Sequence, residues 1–198
     1  MRKSLILASV IANLVTWPAL GQPIKDGARY YDQGDYTSAL AAWRPLAVQG
    51  NAEAQNNLGL LYLDGKGVPP NLSEAVRYFQ LSAAAGSAPG QNNLGGLYRD
   101  GRGVPRDYAK AAKWFAASAS QGDPAGMYNL GLMYELGQGV KADPIEASMW
   151  YALAAETNDV PNAAAHRDAL WRNMTPAAQG RLRQMVAACR QSGYKACQ

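Results

Sequence analysis

From Ala52 onward the apolar positions alternate between two kinds of helical stripe. Ala54, Leu58, Leu61 and Tyr62 recur at the spacing of one helix face, which predicts a helix over residues 52–63. The run Gly65-Lys66-Gly67-Val68 ends it, because glycine adopts the left-handed conformation that a helix end requires. Ala75, Tyr78, Phe79 and Ala83 then mark the inward face of a second helix over residues 73–85, closed by Gly86. Ala75 is small where the two helices cross, and the aromatics fill the space between successive pairs. The pattern predicts an all-α fold built from helix-turn-helix units.

The same pattern returns every 36 residues. Leu58-Gly59, Leu94-Gly95 and Leu130-Gly131 hold this spacing, as do Tyr62, Tyr98 and Tyr134. The two loop glycines recur at Gly101 and Gly103 and again at Gly137 and Gly139, each pair followed by valine. Ala75, Ala111 and Ala147 keep the period, and so do Phe79, Phe115 and Tyr151. Self-similarity at a fixed period signals stacked units that bury a continuous core. The repeat-locked tyrosines are expected in that core.

Upstream lies a shorter copy. Gly27, Tyr30, Gly34, Tyr36, Ala39 and Trp43 follow the tetratricopeptide spacing, with Gly34-Asp35-Tyr36 in place of the longer glycine loop. The three longer units, AQNNLGLLYLDGKGVPPNLSEAVRYFQLSAAAG, GQNNLGGLYRDGRGVPRDYAKAAKWFAASASQG and GMYNLGLMYELGQGVKADPIEASMWYALAAE, resemble Sel1-like repeats, the 36-residue relatives of the tetratricopeptide repeat. The resemblance covers residues 26–158 and implies a right-handed α-solenoid of Sel1-like and tetratricopeptide repeats with a C-terminal helical cap. The last unit departs from the pattern: Lys141-Ala142-Asp143-Pro144 replaces the usual loop end, and Asn158 stands where Gly86 and Gly122 close the earlier units. The expected division is a leader over 1–21, a tetratricopeptide-like unit over 22–50, three Sel1-like repeats over 51–158 and capping helices over 159–198.

The leader begins with Arg2 and Lys3, continues through a mostly apolar run from Leu5 to Val15, and reaches Pro18 and the small residues before Gln22. This is the pattern of a secretory signal peptide cleaved after Gly21, which implies a periplasmic or secreted protein. The apolar run is too short to cross about 30 Å of hydrocarbon, so no stable membrane insertion is expected after cleavage.

Composition adds exclusions. The chain has 198 residues, 48% of them hydrophobic and 17% charged, with a formal charge of +4. The leader takes two of those charges with it, and the remainder is too small a surplus to imply nucleic acid as a partner. His166 is the single histidine and Cys189 and Cys197 are the only cysteines, which argues against a metal site and against histidine-based catalysis. The only acid near His166 in sequence is Asp168, on a different helical face. No cofactor is expected. The glycine loops lack the spacing of a phosphate-binding loop, and the chain has no Gly-x-Ser-x-Gly or His-Glu-x-x-His.

The cap is expected to comprise two helices separated by Met174-Thr175-Pro176, with Ala169, Leu170 and Met174 inward on the first and Leu182, Met185, Val186 and Cys189 inward on the second. In an exported chain Cys189 and Cys197 are expected to pair and pin the tail to the last helix.

In a tetratricopeptide-like array the first helix of each unit lines a concave face. The positions expected to point into it are Glu53, Asn56, Leu60 and Asp64 in the first long unit, Asn92 and Arg99 in the next, and Tyr128, Leu132 and Glu135 in the last. Amides there can bond an extended backbone, while Leu60, Tyr128 and Leu132 can hold apolar anchors, so a protein or peptide partner suits the face. Asn57, Asn93 and Asn129 are expected to form a structural ladder bonded to neighbouring backbones. The function expected is that of a non-enzymatic, exported scaffold, an adaptor or regulator in the cell envelope. Two alternatives stand beside it: a β-lactam-binding or hydrolysing enzyme of the cysteine-rich Sel1-like type, which the resemblance implies but whose repeat cysteines this chain lacks, and a structural subunit of an envelope assembly.

Overall fold

The computed structural model describes residues 22–157, 159–195 and 197. The leader over residues 1–21 and Asn158, the substitute for a closing glycine, lie outside the described residues. Among the described residues there are ten α-helices and no strand. They form consecutive hairpins: α1 Gln22–Asp32 with α2 Tyr36–Val48, α3 Ala52–Asp64 with α4 Leu72–Ala84, α5 Ala88–Asp100 with α6 Tyr108–Ala119, and α7 Pro124–Leu136 with α8 Pro144–Ala154. Two further helices follow, α9 Ala163–Trp171 and α10 Pro176–Gln191.

The helix starts repeat as strictly as the apolar stripes. Asn51, Ser87 and Asp123, each 36 residues apart, cap α3, α5 and α7 by accepting the backbone N–H three residues on. Asn71, Asp107 and Asp143 do the same for α4, α6 and α8. Each of these three also donates its own N–H to the carbonyl of Tyr62, Tyr98 or Tyr134 at 2.8–3.1 Å. The altered loop of the last repeat therefore keeps its cap in register: Asp143 stands where Asp107 does, and Pro144 takes the first helical turn, where a missing N–H costs nothing.

From α1 to α9 each helix packs on the next, α10 packs on α8, and α5 also touches both α3 and α7. The first helices thus make one inner layer and the second helices an outer one, a helical solenoid. Within each long unit an aromatic fills a slot left by a glycine: Phe79 lies against Gly59, Phe115 against Gly95 and Tyr151 against Gly131, all three aromatics fully buried. Between units the second loop glycine presses on the start of the preceding outer helix, Gly67 on Tyr36, Gly103 on Leu72 and Val76, and Gly139 on Tyr108 and Ala109. The Gly-x-Gly loop therefore ends one helix and also seats its unit on the one before.

Two expectations about the core need correction. Tyr62, Tyr98 and Tyr134 are half-buried and border the core, whose filling comes from Leu58, Leu61, Leu94, Leu97, Leu130 and Met133. Tyr62 stacks on Tyr78 with ring centroids 5.7 Å apart, and its hydroxyl accepts from Arg44 at 3.3 Å. A phenol carries a polar tip that stays near water when the ring is only partly covered. In α9 Ala163 is fully buried and Trp171 packs on the core; Ala169 is exposed, while Met174 packs on the core from just beyond the helix.

Thr175 caps α10 and Pro176 starts it, with Leu182 and Cys189 buried and Met185 and Val186 half-buried. Cys189 and Cys197 form a disulfide, Cα to Cα 4.7 Å, across a separation of eight residues. It folds the tail back so that Tyr194 lies over the Gly122 turn between α6 and α7. Replacing both cysteines by alanine is expected to destabilise the chain by about 2–3 kcal/mol on the chain-entropy model of loop closure. Urea unfolding checks this; an unchanged midpoint with an unchanged slope would show that the tail is held by packing alone.

Candidate functional site: the inner helix layer

The inner layer carries a chain of amides. Asn93 Nδ2 donates to Asn56 Oδ1 at 2.8 Å, and Asn129 Nδ2 donates to Asn92 Oδ1 at 2.8 Å. The ladder thus exists, but its bonds join side chains of adjacent repeats, not backbones as expected. Both run at a separation of 37, one more than the repeat. The offset arises because neighbouring inner helices meet across different positions, so each bond links one column of asparagines to the other.

Asn56 is buried, 7% exposed, and serves the ladder; Glu53 and Asp64 are exposed at the ends of α3. Asn92 is half-buried. Its Nδ2 and the Oδ1 of Asn93 have no partner among the described residues, so α5 carries one free amide donor and one free acceptor. Arg99 is held on both sides. Its Nε and Nη2 fork onto Asp100 at 2.7 and 3.1 Å, and Nη1 donates to Asn129 at 3.0 Å. That pairing keeps the Asp100 carboxyl below its ordinary range and the guanidinium above its own.

One end of the face holds a cavity of about 210 Å³ between α1, α2 and α3, lined by Tyr31, Asp32, Trp43, Asn57 and Leu60 among others. Only Leu60 was expected on the face; the cavity forms where residues of α1, α2 and α3 come together. Lys66 Nζ reaches the Tyr31 hydroxyl at 2.8 Å.

At the other end Tyr128 interrupts the asparagine column, standing 36 residues after Asn92. Its ring lies 5.5 Å from that of Tyr151 and 5.6 Å from that of His166. Glu135 accepts from the Tyr151 hydroxyl at 2.5 Å and sits 3.1 Å from His166 Nδ1. Burial first, and then the Glu135 carboxylate, push the Tyr151 hydroxyl well above the ordinary tyrosine range. Burial and Glu135 also raise Tyr128. Leu132 is half-buried on the same helix.

The histidine therefore does have an acid partner, but it is Glu135, 31 residues away on α7; Asp168 pairs with Arg167 at 2.8 Å instead. Sequence reasoning missed both Tyr151 and His166 as parts of this face. A signal existed for the first. Phenylalanine occupies its register in the two earlier repeats, and the position facing it changes in step: Leu63 with Phe79, Arg99 with Phe115, Glu135 with Tyr151. Leu63 joins Phe79 in one apolar cluster, the Arg99 guanidinium lies 5.9 Å from the Phe115 ring centre, and Glu135 receives the Tyr151 hydroxyl. A hydroxyl buried at that register needs an acceptor, and the acid supplies it.

Among the described residues no group of three or more histidine, cysteine, aspartate or glutamate side chains could hold a metal ion, and no helix is long and apolar enough to cross a membrane.

The Sel1 repeat model matches the chain three times in succession, over residues 52–87, 88–123 and 124–159. The chain belongs to the Sel1 repeat family. It is similar to a solved Sel1 repeat protein from Oxalobacter formigenes, with 31% identity, a TM-score of 0.67, and coverage of 73% of this chain and 59% of that one. It is also similar to c5321, a protective antigen present in uropathogenic Escherichia coli strains displaying an SLR fold. There the identity is 34% and the TM-score 0.63, over 69% of this chain and 30% of that one. The chain thus spans less than two thirds of either structure's length. A search of curated proteins found no match. Sel1 repeats generally serve as scaffolds for protein–protein interaction.

Proposed function

We propose that this Sel1 repeat protein is an exported, non-enzymatic scaffold that holds an extended segment of a partner protein on its concave face, as an adaptor or regulator in the cell envelope. The observation that carries the reading is the unused amide pair at the centre of the face. Asn92 Nδ2 and Asn93 Oδ1 are an unused donor and an unused acceptor on the same helix, groups that can bond the backbone of an extended chain. The rest of each amide is tied into the ladder, so the pair is held in place before a partner arrives, which lowers the entropic cost of binding. The Tyr31–Trp43 cavity at one end and Tyr128 with Leu132 at the other supply apolar anchors. The leader pattern and the Cys189–Cys197 disulfide support an oxidising compartment, periplasmic or extracellular.

Photo-crosslinking in cells tests this. A probe at Asn92 is expected to give a discrete protein adduct that a probe at Arg77, on outer helix α4, does not, and Tyr128→Ala is expected to reduce the adduct at least fivefold. Equal adducts from both probes, or none from either, would overturn the groove model.

A further inference from the structure

The C-terminal helices enclose a second site that owes nothing to the concave face. Helices α9 and α10 both pack on α8, but α10 does not lie along α9. Between them is a cleft of about 330 Å³, with Ala152 of α8 at its base. This is at the small end of ligand pockets, roughly 300–1,000 Å³. Its apolar lining comes from Trp171 of α9 and from Leu182 and Val186 of α10, four residues apart on one helix face.

Three guanidinium groups line the same cleft: Arg167 from α9, and Arg183 and Arg190 from α10. Arg167 and Trp171 are also four apart, so they share the face of α9 turned toward α10, whereas His166 next door faces Glu135. The arginines are not equivalent. Arg167 donates to Asp168 through Nε at 2.8 Å, and Arg190 donates to Glu156 through Nε at 2.8 Å and through Nη2. Arg183 has no carboxylate partner among the described residues; its guanidinium lies 5.2 Å from the Trp171 ring centre. Neither Asp168 nor Glu156 lines the cleft. One uncompensated positive charge therefore stands at the mouth of an apolar pocket, stacked on an indole that limits its motion.

We propose that this cleft binds a monocarboxylate attached to a short apolar body, either a free aromatic or branched acid or the C-terminus of a peptide ending in an apolar residue. The charge count asks for a single negative charge. The fork of Arg183 matches the two oxygens of a carboxylate, as a lysine in its place would not. The small volume and the Trp171, Leu182 and Val186 lining take the apolar body. A bulky or multiply charged anion fails both conditions. The site is separate from the groove, and its occupancy does not depend on the groove being used.

Titration of the purified protein with 3-phenylpropionate, followed by NMR, tests this against 3-phenylpropionamide. The acid is expected to shift the Trp171 indole N–H signal saturably, leave that of Trp43 in place, and bind at least tenfold tighter than the amide. Arg183→Gln should weaken the acid at least tenfold without moving the amide signals of α3 and α5, which show that the fold is intact. Lys113→Ala, on outer helix α6, should leave binding unchanged, and the groove is read separately by the Asn92 crosslink, so failure of the groove model and failure of this site are told apart. A parallel titration with N-acetyl-Gly-Gly-Phe, as free acid and as amide, separates the sources. Binding of the free acid 3-phenylpropionate assigns the site to a small acid, and binding of the peptide acid alone assigns it to a chain terminus. Equal affinity for acid and amide, no saturable shift with either acid, or an Arg183→Gln variant that binds as before would overturn the proposal.

Discussion

Replacing Phe115 by alanine is expected to cost about 3–5 kcal/mol, the range for deleting a fully buried aromatic. Domains of this kind are stable by only about 5–15 kcal/mol in total, so the variant loses a large share of its stability and unfolds at a clearly lower urea concentration. The reason is specific to the slot that Phe115 occupies. Its ring is fully buried, and a Cβ built on Gly95 would lie 2.8 Å from two of its carbons. Gly95 is thus glycine because the ring is there. Gly95→Ala alone should destabilise by about 1–3 kcal/mol through overpacking, although alanine is otherwise the better helix former by roughly 1 kcal/mol. In the Phe115→Ala background the ring is gone, the added methyl enters the cavity, and the same change should become neutral or stabilising. This sign reversal is read from urea unfolding midpoints of the four chains as a double-mutant cycle. A Gly95→Ala cost that is equal in both backgrounds would mean that the glycine serves the helix backbone and not the aromatic.

The second large effect is expected at Gly139, where Gly139→Ala should cost about 2–5 kcal/mol. Two causes combine. The residue sits at φ +71°, where a side chain costs roughly 1–2 kcal/mol. A Cβ there would also collide with the Tyr108 carbonyl at the start of α6, and backbone cannot step aside as a side-chain tip can, which adds about 1–3 kcal/mol of overpacking. Gly86 separates the terms, since it has φ +86° and open space around its missing Cβ. Gly86→Ala should show the backbone cost alone, a fall in melting temperature of about 2–4 °C per kcal/mol for a chain of this size, and Gly139→Ala a clearly larger fall. Equal losses at the two sites would remove the close approach of loop to helix as the link between repeats.

Both predictions bear on how much of this protein is legible in its residues. The period of 36, the helix pairs, the Thr175 cap of the last helix, and the aromatic registers at Phe79, Phe115 and Tyr151 are all visible in the chain. All but that cap arise from interactions within one unit or between identical neighbours. Such interactions must recur with the period, and periodicity makes them readable.

What breaks the period was decided by the tertiary structure. The asparagine bonds run at a separation of 37, because adjacent inner helices meet off register, and no column of identical residues announces that pairing. The contact of His166 with Glu135 joins a capping helix to a repeat, across two elements with no common pattern. The Tyr31–Trp43 cavity and the arginine cleft depend on how α1 packs on α2 and α10 on α8, at the two ends of the array. By itself the sequence determined the solenoid, its units and the glycine turns and aromatics that recur in each. Only the three-dimensional packing decided which polar groups are spent on one another and which are left free, because that depends on the angle and offset at which successive helices cross.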